Sequence, residues 1–262
     1  MPRVSVIMPA YNGGKYIAES IDSVIAQTFT DWELIVCDDC STDDTYAIAA
    51  FYAEKHPNII LIRNEDNLGE GATRNHCISH ARGEYIAFLD CDDTSLPERF
   101  QEQVDFLDNS PEYAMIGTLG VYFYKQDEWG EVKCPEIPDA RASAVRAQYI
   151  CASVMMHRHI LDSVGLYKTE RRYFYGVDQQ LFCRIYAAGF KGYNIQKNLY
   201  RYRVDKKNHA MRRFRTRVAY TRVALECVHM LKSPPVDYLK AFVPLITYFV
   251  PRPLKNIFWE RR

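Results

Sequence analysis

The stretch Phe88-Leu89-Asp90-Cys91-Asp92-Asp93 decides how this chain is read. An apolar, strand-forming run over residues 85–89 empties into three carboxylates within four residues. Such a cluster repels itself unless a positive charge sits in it, and a hard divalent cation with oxygen ligands meets that need. A strand ending in an Asp-x-Asp pair is what a metal–diphosphate site in an α/β sheet requires. The pair alone is weak evidence, because acidic proteins carry many by chance, so the flanking pattern has to carry the reading.

Working outward, residues 4–8 form a β-branched run closed by Pro9 and by Asn12-Gly13-Gly14. Ile17, Ile21, Val24 and Ile25 then recur at helical spacing. Residues 34–37 read as a second buried strand. Ser41-Thr42-Asp43-Asp44 carries a capping-box pattern, and Ile48, Phe51 and Tyr52 are the expected apolar face of the next helix. A third strand over 59–62, a helix over 72–81 and the strand at 85–89 complete a β-α-β-α rhythm. That rhythm predicts an α/β fold with a mostly parallel central sheet and helices on both faces.

Ligands of such sheets sit beyond the carboxyl ends of the strands. Ala10-Tyr11-Asn12, Asp38-Asp39, Asn64-Glu65-Asp66-Asn67 and Asp90 to Asp93 all lie there. Solvated loops would also be rich in Asp and Asn, but they would show no preference for that end of the sheet. The second half is less regular: a helix over 97–107, strands at 113–118, 121–124 and 153–156, a loop over 125–140, a short helix ending near Gly165, and a helix over 178–188 with Leu181, Phe182 and Ile185 inward.

The zero formal net charge of the 262 residues hides an asymmetry. Residues 201–262 carry 15 Lys/Arg against 4 Asp/Glu, and residues 1–200 carry 18 against 29. An acidic body with a basic tail suggests that the tail meets an anionic surface. The first apolar run is too short for a signal peptide, and the longest, over 241–250, is half a spanning helix and contains Pro244. Eight cysteines without framework spacing point to a reducing, cytoplasmic compartment; the lone Cys37-x-x-Cys40 has no second pair to make a zinc site.

The ordered set of motifs resembles the family-2 inverting glycosyltransferases of the GT-A fold, which build polysaccharides and glycolipids from nucleotide sugars. The matching segments are Val4-Ser5-Val6-Ile7-Met8-Pro9-Ala10-Tyr11-Asn12, Ser20-Ile21-x-Ser23-Val24-x-x-Gln27-Thr28, and Glu33-Leu34-Ile35-Val36-x-Asp38-Asp39-x-Ser41-Thr42-Asp43. They continue through Asn67-x-Gly69, Ala72-x-Arg74-Asn75, and Gly83-Glu84-Tyr85-Ile86-x-Phe88-Leu89-Asp90-x-Asp92-Asp93. The match is dense over residues 4–100 and thinner to about 205.

The resemblance implies a donor pocket in which Pro9, Ala10, Tyr11 and Asn12 wall the base of a nucleotide, such as UDP. Asp39, with Asp38 nearby, would accept from a ring N–H. Both acids also suit a turn before a helix, and the roles coexist. Asp90 would face the ribose and Asp92 would ligate Mn²⁺ or Mg²⁺, with Asp93 in support or capping the next helix. Arg74 is a diphosphate or acidic-loop partner, or else a surface cation. The family's general base belongs to an acidic pair opening a late helix. Here that segment reads Tyr175-Gly176-Val177-Asp178, so the Glu of the pair is replaced by Val177 and Asp178 is the candidate base, unless it only caps the helix. Where the family often carries Tyr-Arg-x-His, this chain has Tyr202-Arg203-Val204-Asp205; Arg203, Lys206, Lys207 and His209 are all candidates to close over a diphosphate.

The expected organisation is a catalytic domain over residues 1–205, nucleotide-binding to 100 and acceptor-binding beyond, followed by a basic helical tail over 206–262. In the tail Arg212, Arg213, Arg215, Arg217 and Arg222 flank Phe214, Val218, Thr221, Leu225 and Val228 at helical spacing. This fits a segment lying on anionic lipid at the inner face of the cell membrane, or a helix packed on the acidic body. No nucleic-acid motif is present. The implied activity is metal-dependent, inverting transfer of a hexosyl or N-acetylhexosaminyl group from a UDP-sugar to a saccharide or lipid-linked saccharide. The rivals are a nucleotidyltransferase, for which Tyr11-Asn12-Gly13-Gly14-Lys15 is a poor phosphate loop, and a non-catalytic binding module derived from a transferase.

Overall fold

The computed structural model describes residues 1–125, 127–173, 175–204 and 214–249. Four strands, β1 (Val4–Ala10), β2 (Trp32–Asp38), β3 (Ile59–Arg63) and β4 (Tyr85–Phe88), are joined by α1 (Ile17–Ile25), α2 (Thr45–Lys55) and α3 (Glu70–His80). β1 runs parallel to β2 and to β4, and β2 runs parallel to β3. Val6 lies beside both Leu34 and Ala87, so side chains alternate in step across the sheet. Val4, Val6, Met8, Leu34, Val36 and Ala87 pack with Ile17, Ile21 and Val24 of α1 on one face. Ile7, Ile35, Ile86 and Phe88 pack with Cys77 and Ile78 of α3 on the other. Burial on both faces is why these strands read as unbroken apolar runs.

The chain continues through β5 (Thr94–Ser95), α4 (Arg99–Asn109), β6 (Tyr113–Tyr124), β7 (Asp127–Val132), α5 (Ala140–Val145), β8 (Met155–His157), α6 (Arg158–Val164), α7 (Val177–Ala187) and β9 (Lys191–Arg203). One sheet runs β3-β2-β1-β4-β8-β6-β9-β5, with β7 paired to β6. β8 is antiparallel to β4 and β6, β5 is antiparallel to β9, and β6 is parallel to β9. The sheet is thus parallel through its first half and mixed beyond it.

Several local expectations change. The strands expected at 113–118 and 121–124 are one, β6. The loop expected over 125–140 contains β7, whose Asp-Glu-Trp-Gly-Glu-Val sequence is exposed or half-buried and carries no core pattern to read. The buried residues of α2 are Thr45 and Ala49, while Phe51 is 52% exposed. The turn before α2 is held by Asp43, which accepts from the Thr45 amide at 3.0 Å and the Gly14 amide at 3.0 Å. Asp44 occupies the cap position without a side-chain bond.

Beyond residue 213 come α8 (Phe214–Met230), α9 (Pro235–Ala241) and α10 (Val243–Phe249). α8 buries Val223, Cys227 and Val228 in the same core cluster as Leu181, Phe182 and Ile185 of α7. Tyr173 and Gln180 both donate to its Glu226, at 2.7 and 3.0 Å. Of the face read from spacing, Thr221 and Val228 are buried, Val218 and Leu225 are half-buried and Phe214 is exposed. Arg212 and Arg213 lie outside the described residues. No described helix is long and apolar enough to cross a membrane.

Candidate active site

Asp90, Asp92 and Asp93 follow β4 directly, and one carboxylate oxygen from each lies within 4.8 Å of the others. The three are not equivalent. Asp93 Oδ2 accepts from the Tyr200 hydroxyl at 2.8 Å and Oδ1 accepts from the Arg203 amide at 2.7 Å. Its carbonyl accepts from Ser20 Oγ at 2.6 Å. Asp93 therefore fastens the acidic turn to β9 and α1, which gives it a role the sequence left open. Burial, then the charges of Asp92 and Asp90, hold its carboxyl well above the usual range.

The Asp92 carboxylate accepts from no side chain among the described residues. Desolvation in the cleft and the neighbouring Asp90 charge raise its carboxyl to about 6. An unpaired carboxylate held at that value is an oxygen donor on which a hard cation displaces a proton. Asp90 gives Oδ1 to Arg74 Nη2 at 3.0 Å. Desolvation pushes its carboxyl up, against the pull of Arg74. Beneath the turn, the buried Arg99 of α4 donates to the Phe88 carbonyl and to Ser95 Oγ, both at 2.8 Å. It stacks over Tyr200 at 5.3 Å. The donor set fits a divalent ion on Asp92 with Asp90 beside it, and Asp93 is committed elsewhere.

Arg74 joins the two ends of the site. Its side chain is 1% exposed, which disposes of the surface-cation reading. Nη1 donates to Asp178 Oδ1 at 2.6 Å, while Nη2 meets Asp90 Oδ1 at 3.0 Å and Glu70 Oε1 at 2.7 Å. The planar fork spans carboxylates from α3, the β4 turn and α7, which a lysine cannot do. The guanidinium also lies 5.4 Å from the Tyr167 ring and 5.8 Å from that of Phe88. These carboxylates together raise the pKa of Arg74 against the effect of burial. Next in sequence, Asn75 fixes the loop that carries Tyr167, exchanging bonds with its carbonyl and amide at 2.9 Å each.

Asp178 sits in the first turn of α7, behind Gly176, whose φ of 86° a glycine adopts without strain. The cap position is Gly176, so Asp178 is not the helix cap. Its Oδ1 accepts from both Arg74 and the Tyr167 hydroxyl, the latter at 3.2 Å, leaving Oδ2 without a described partner. An oriented carboxylate with one oxygen free is what a general base needs.

At the nucleotide end Tyr11 is 51% exposed, following Pro9 and the buried Ala10. Asn12 accepts from the Thr42 amide through Oδ1 at 2.9 Å and donates its own amide to Ser41 Oγ at 2.9 Å, tying the β1 loop to the β2 loop. Asp38 is buried against Arg63 at 3.0 Å. Asp39 is buried too: Oδ1 accepts from Asn64 Nδ2 at 2.7 Å and the Leu68 amide at 2.9 Å, and Oδ2 from the Gly69 amide at 2.9 Å. Asp39 thus shapes the loop leading into α3, and with it the position of Glu70 and Arg74. Arg203 is also committed, to Glu19 and to the Asp92 carbonyl, both at 2.5 Å. Lys206, Lys207 and His209 lie outside the described residues.

Sequence reading missed Glu70, Tyr167, Arg99 and Tyr200. None stands at a strand end or in a spaced pair, and only the third dimension brings Tyr167 and Tyr200 to the acids. Arg74 pulls the Glu70 carboxyl down, but desolvation and the charges of Asp178, Asp90 and Asp92 outweigh it and hold it at about 7.

The half-parallel sheet gathers three carboxylates where β4 ends, and a further carboxylate reaches them through Arg74 from a later helix. The chain belongs to glycosyl transferase family 2, whose family model matches residues 5–165. It is 36% identical over 262 residues to the putative glycosyltransferase EpsE of Bacillus subtilis, covering 100% of this chain and 94% of the relative. It is 28% identical over 263 residues to the Escherichia coli UDP-Glc:alpha-D-GlcNAc-diphosphoundecaprenol beta-1,3-glucosyltransferase WfaP, covering 100% and 98%. Among solved structures, the mannosyltransferase PcManGT of Pyrobaculum calidifontis, in complex with GDP-Man and Mn²⁺, superposes with a TM-score of 0.69 at 18% identity, over 99% of this chain and 79% of the other. The fold is the GT-A fold expected from sequence, and the protein is a glycosyltransferase.

Proposed function

We propose that this protein transfers a hexosyl or N-acetylhexosaminyl group from a UDP-sugar to a saccharide or lipid-linked saccharide, with inversion at the anomeric carbon. The observation that carries the reading is the Arg74 bridge, which sets Asp178 and Asp90 on one guanidinium at 2.6 and 3.0 Å. The name of WfaP supports both the UDP donor and a lipid-linked acceptor. Asp92, with Asp90, would hold Mn²⁺ or Mg²⁺, in keeping with the Mn²⁺ of the mannosyltransferase. When bound, the ion neutralises charge on the departing diphosphate.

The protein's own side chains do the rest. The Tyr11 ring, with Pro9, Ala10 and Asn12, walls the base; Asp38 and Asp39 hold the loops around it, and Asp90 takes the ribose. Asp178 Oδ2 receives the acceptor hydroxyl proton as the acceptor oxygen bonds the anomeric carbon and the bond to the diphosphate breaks. Arg74 and Tyr167 hold that carboxylate in place through its other oxygen. A non-catalytic module would have no use for an oriented carboxylate with a free oxygen, although Val177 in place of an acid is the feature that favours it.

The protein works at the cytoplasmic face of the membrane in this reading, held peripherally by its C-terminal region. Leu239, Ile246 and Phe249 of α9 and α10 are all more than half exposed, beside the basic composition of the tail. Residues 250–262 lie outside the described residues. The test incubates purified protein and Mn²⁺ with a panel of nucleotide sugars and scores donor hydrolysis and UDP binding. Turnover of a UDP-sugar, lost in Asp178→Asn, is expected; absence of any UDP binding would sink the reading.

A further inference from the structure

The acidic pair expected at the start of α7 is broken by Val177, yet a second carboxylate stands beside that position. Gly71 of α3 leaves no room for a side chain: a Cβ there would lie 2.8 Å from the Lys168 carbonyl and 3.5 Å from Val177 Cγ1. The first turn of α3 is therefore pressed against the residue where the acid is missing. Glu70, the next residue back, lines a small open cleft with Val177, Leu68, Lys168, Thr169 and Tyr173. Gly69, with φ of 84°, caps α3 immediately before Glu70.

We propose that Glu70 supplies the second carboxylate of the reaction centre from α3, in place of an acid at 177, and accepts a hydrogen bond from a hydroxyl of the transferred sugar. Glu70 and Asp90 share Arg74 Nη2, at 2.7 and 3.0 Å, so Glu70 stands on the guanidinium that joins the Asp90–Asp92 end to Asp178. The sugar of a bound donor occupies the space between those ends. Its other neighbours at that point are Asp178, kept for the acceptor proton, and Val177, which has nothing to offer a hydroxyl. Glu70 is itself 45% exposed, so its second oxygen is reachable. Keeping a carboxylate here against three others is unfavourable for folding, and a site that binds hydroxyl groups is where such crowding has a use.

This inference rests on the UDP-sugar reading, and the test separates the two. Calorimetry with Mn²⁺ compares wild type and Glu70→Ala on UDP, UDP-glucose, UDP-galactose and UDP-N-acetylglucosamine. Arg74 keeps Asp90 and Asp178 in the variant, so UDP affinity is expected within about twofold of wild type, which also reports an intact fold. Affinity for the preferred UDP-sugar is expected to fall by about tenfold or more, the scale of one charge-assisted hydrogen bond. Equal effects on UDP and UDP-sugar, or none on either, overturn the role of Glu70 and leave the glycosyltransferase reading standing. Wild type that binds UDP and none of the three sugars also overturns it. Wild type that binds no UDP overturns both.

Discussion

Arg74 Nη1 and Asp178 Oδ1 meet at 2.6 Å across 104 residues of sequence, joining the parallel first half of the fold to a late helix. Breaking a buried ion pair from one side leaves the other charge stranded. Arg74→Met is expected to lower stability by about 3 kcal/mol, near the low end for buried pairs because Asp178 and Asp90 keep some solvent. Urea denaturation followed by circular dichroism checks this, and Arg74→Lys should recover only part of the loss.

Asp178→Asn keeps the size of the side chain and its contact with Tyr167 while removing the base. Transfer should fall by about 10²–10⁴-fold with UDP affinity unchanged. Full activity in a folded Asp178→Asn protein would place the base elsewhere.

Mn²⁺ binding should depend on pH through Asp92. Its carboxyl is raised to about 6, so it is ionised above that pH and protonated below it. A cation and a proton compete for the same oxygens, so Mn²⁺ affinity should be steady above about pH 7 and fall as pH drops through 6. Titration in two buffers of different ionisation enthalpy reads the proton released. Asp92→Ala should abolish both the binding and its pH dependence.

Asp93 and Tyr200 should act on stability and leave metal affinity alone. Tyr200→Phe removes one hydrogen bond to a buried carboxylate and should cost about 1.5–3 kcal/mol. A tenfold loss of Mn²⁺ affinity in this variant would show that Asp93 takes part in metal binding.

Ending the chain after residue 205 would expose the core surface that α8 covers with Val223, Cys227 and Val228. The shortened protein should aggregate or melt at lower temperature, as read by light scattering and thermal unfolding. A soluble, equally stable 1–205 fragment would show that the catalytic domain needs nothing beyond that point.

The first half of the fold was legible because β1, β2 and β4 are buried on both faces, and unbroken apolar runs ending in polar turns announce such strands. β7 was not, since an exposed hairpin strand needs no core residues, and β9 was not delimited from sequence although it buries Leu199 and Tyr200. At the site, Asp92 and Asp178 could be found because they stand where a strand ends and where a helix begins. Glu70 could not be singled out: one acid in a helix's first turn looks like any residue placed for the helix dipole. Asp93 could be given no single role until Tyr200, 107 residues away, was seen to take its oxygen.

Glu70, Asp90 and Asp178 face one guanidinium, that of Arg74, while Asp92 stands beside Asp90 and Arg203 is turned to Glu19. Among the described residues, a free diphosphate entering that field meets more carboxylates than cations. On the metal-dependent reading proposed above, charge sets the order of addition: a cation should precede the nucleotide or arrive chelated to it. Raising UDP in the absence of divalent ions should not force occupancy, whereas raising Mn²⁺ first should speed capture of the nucleotide.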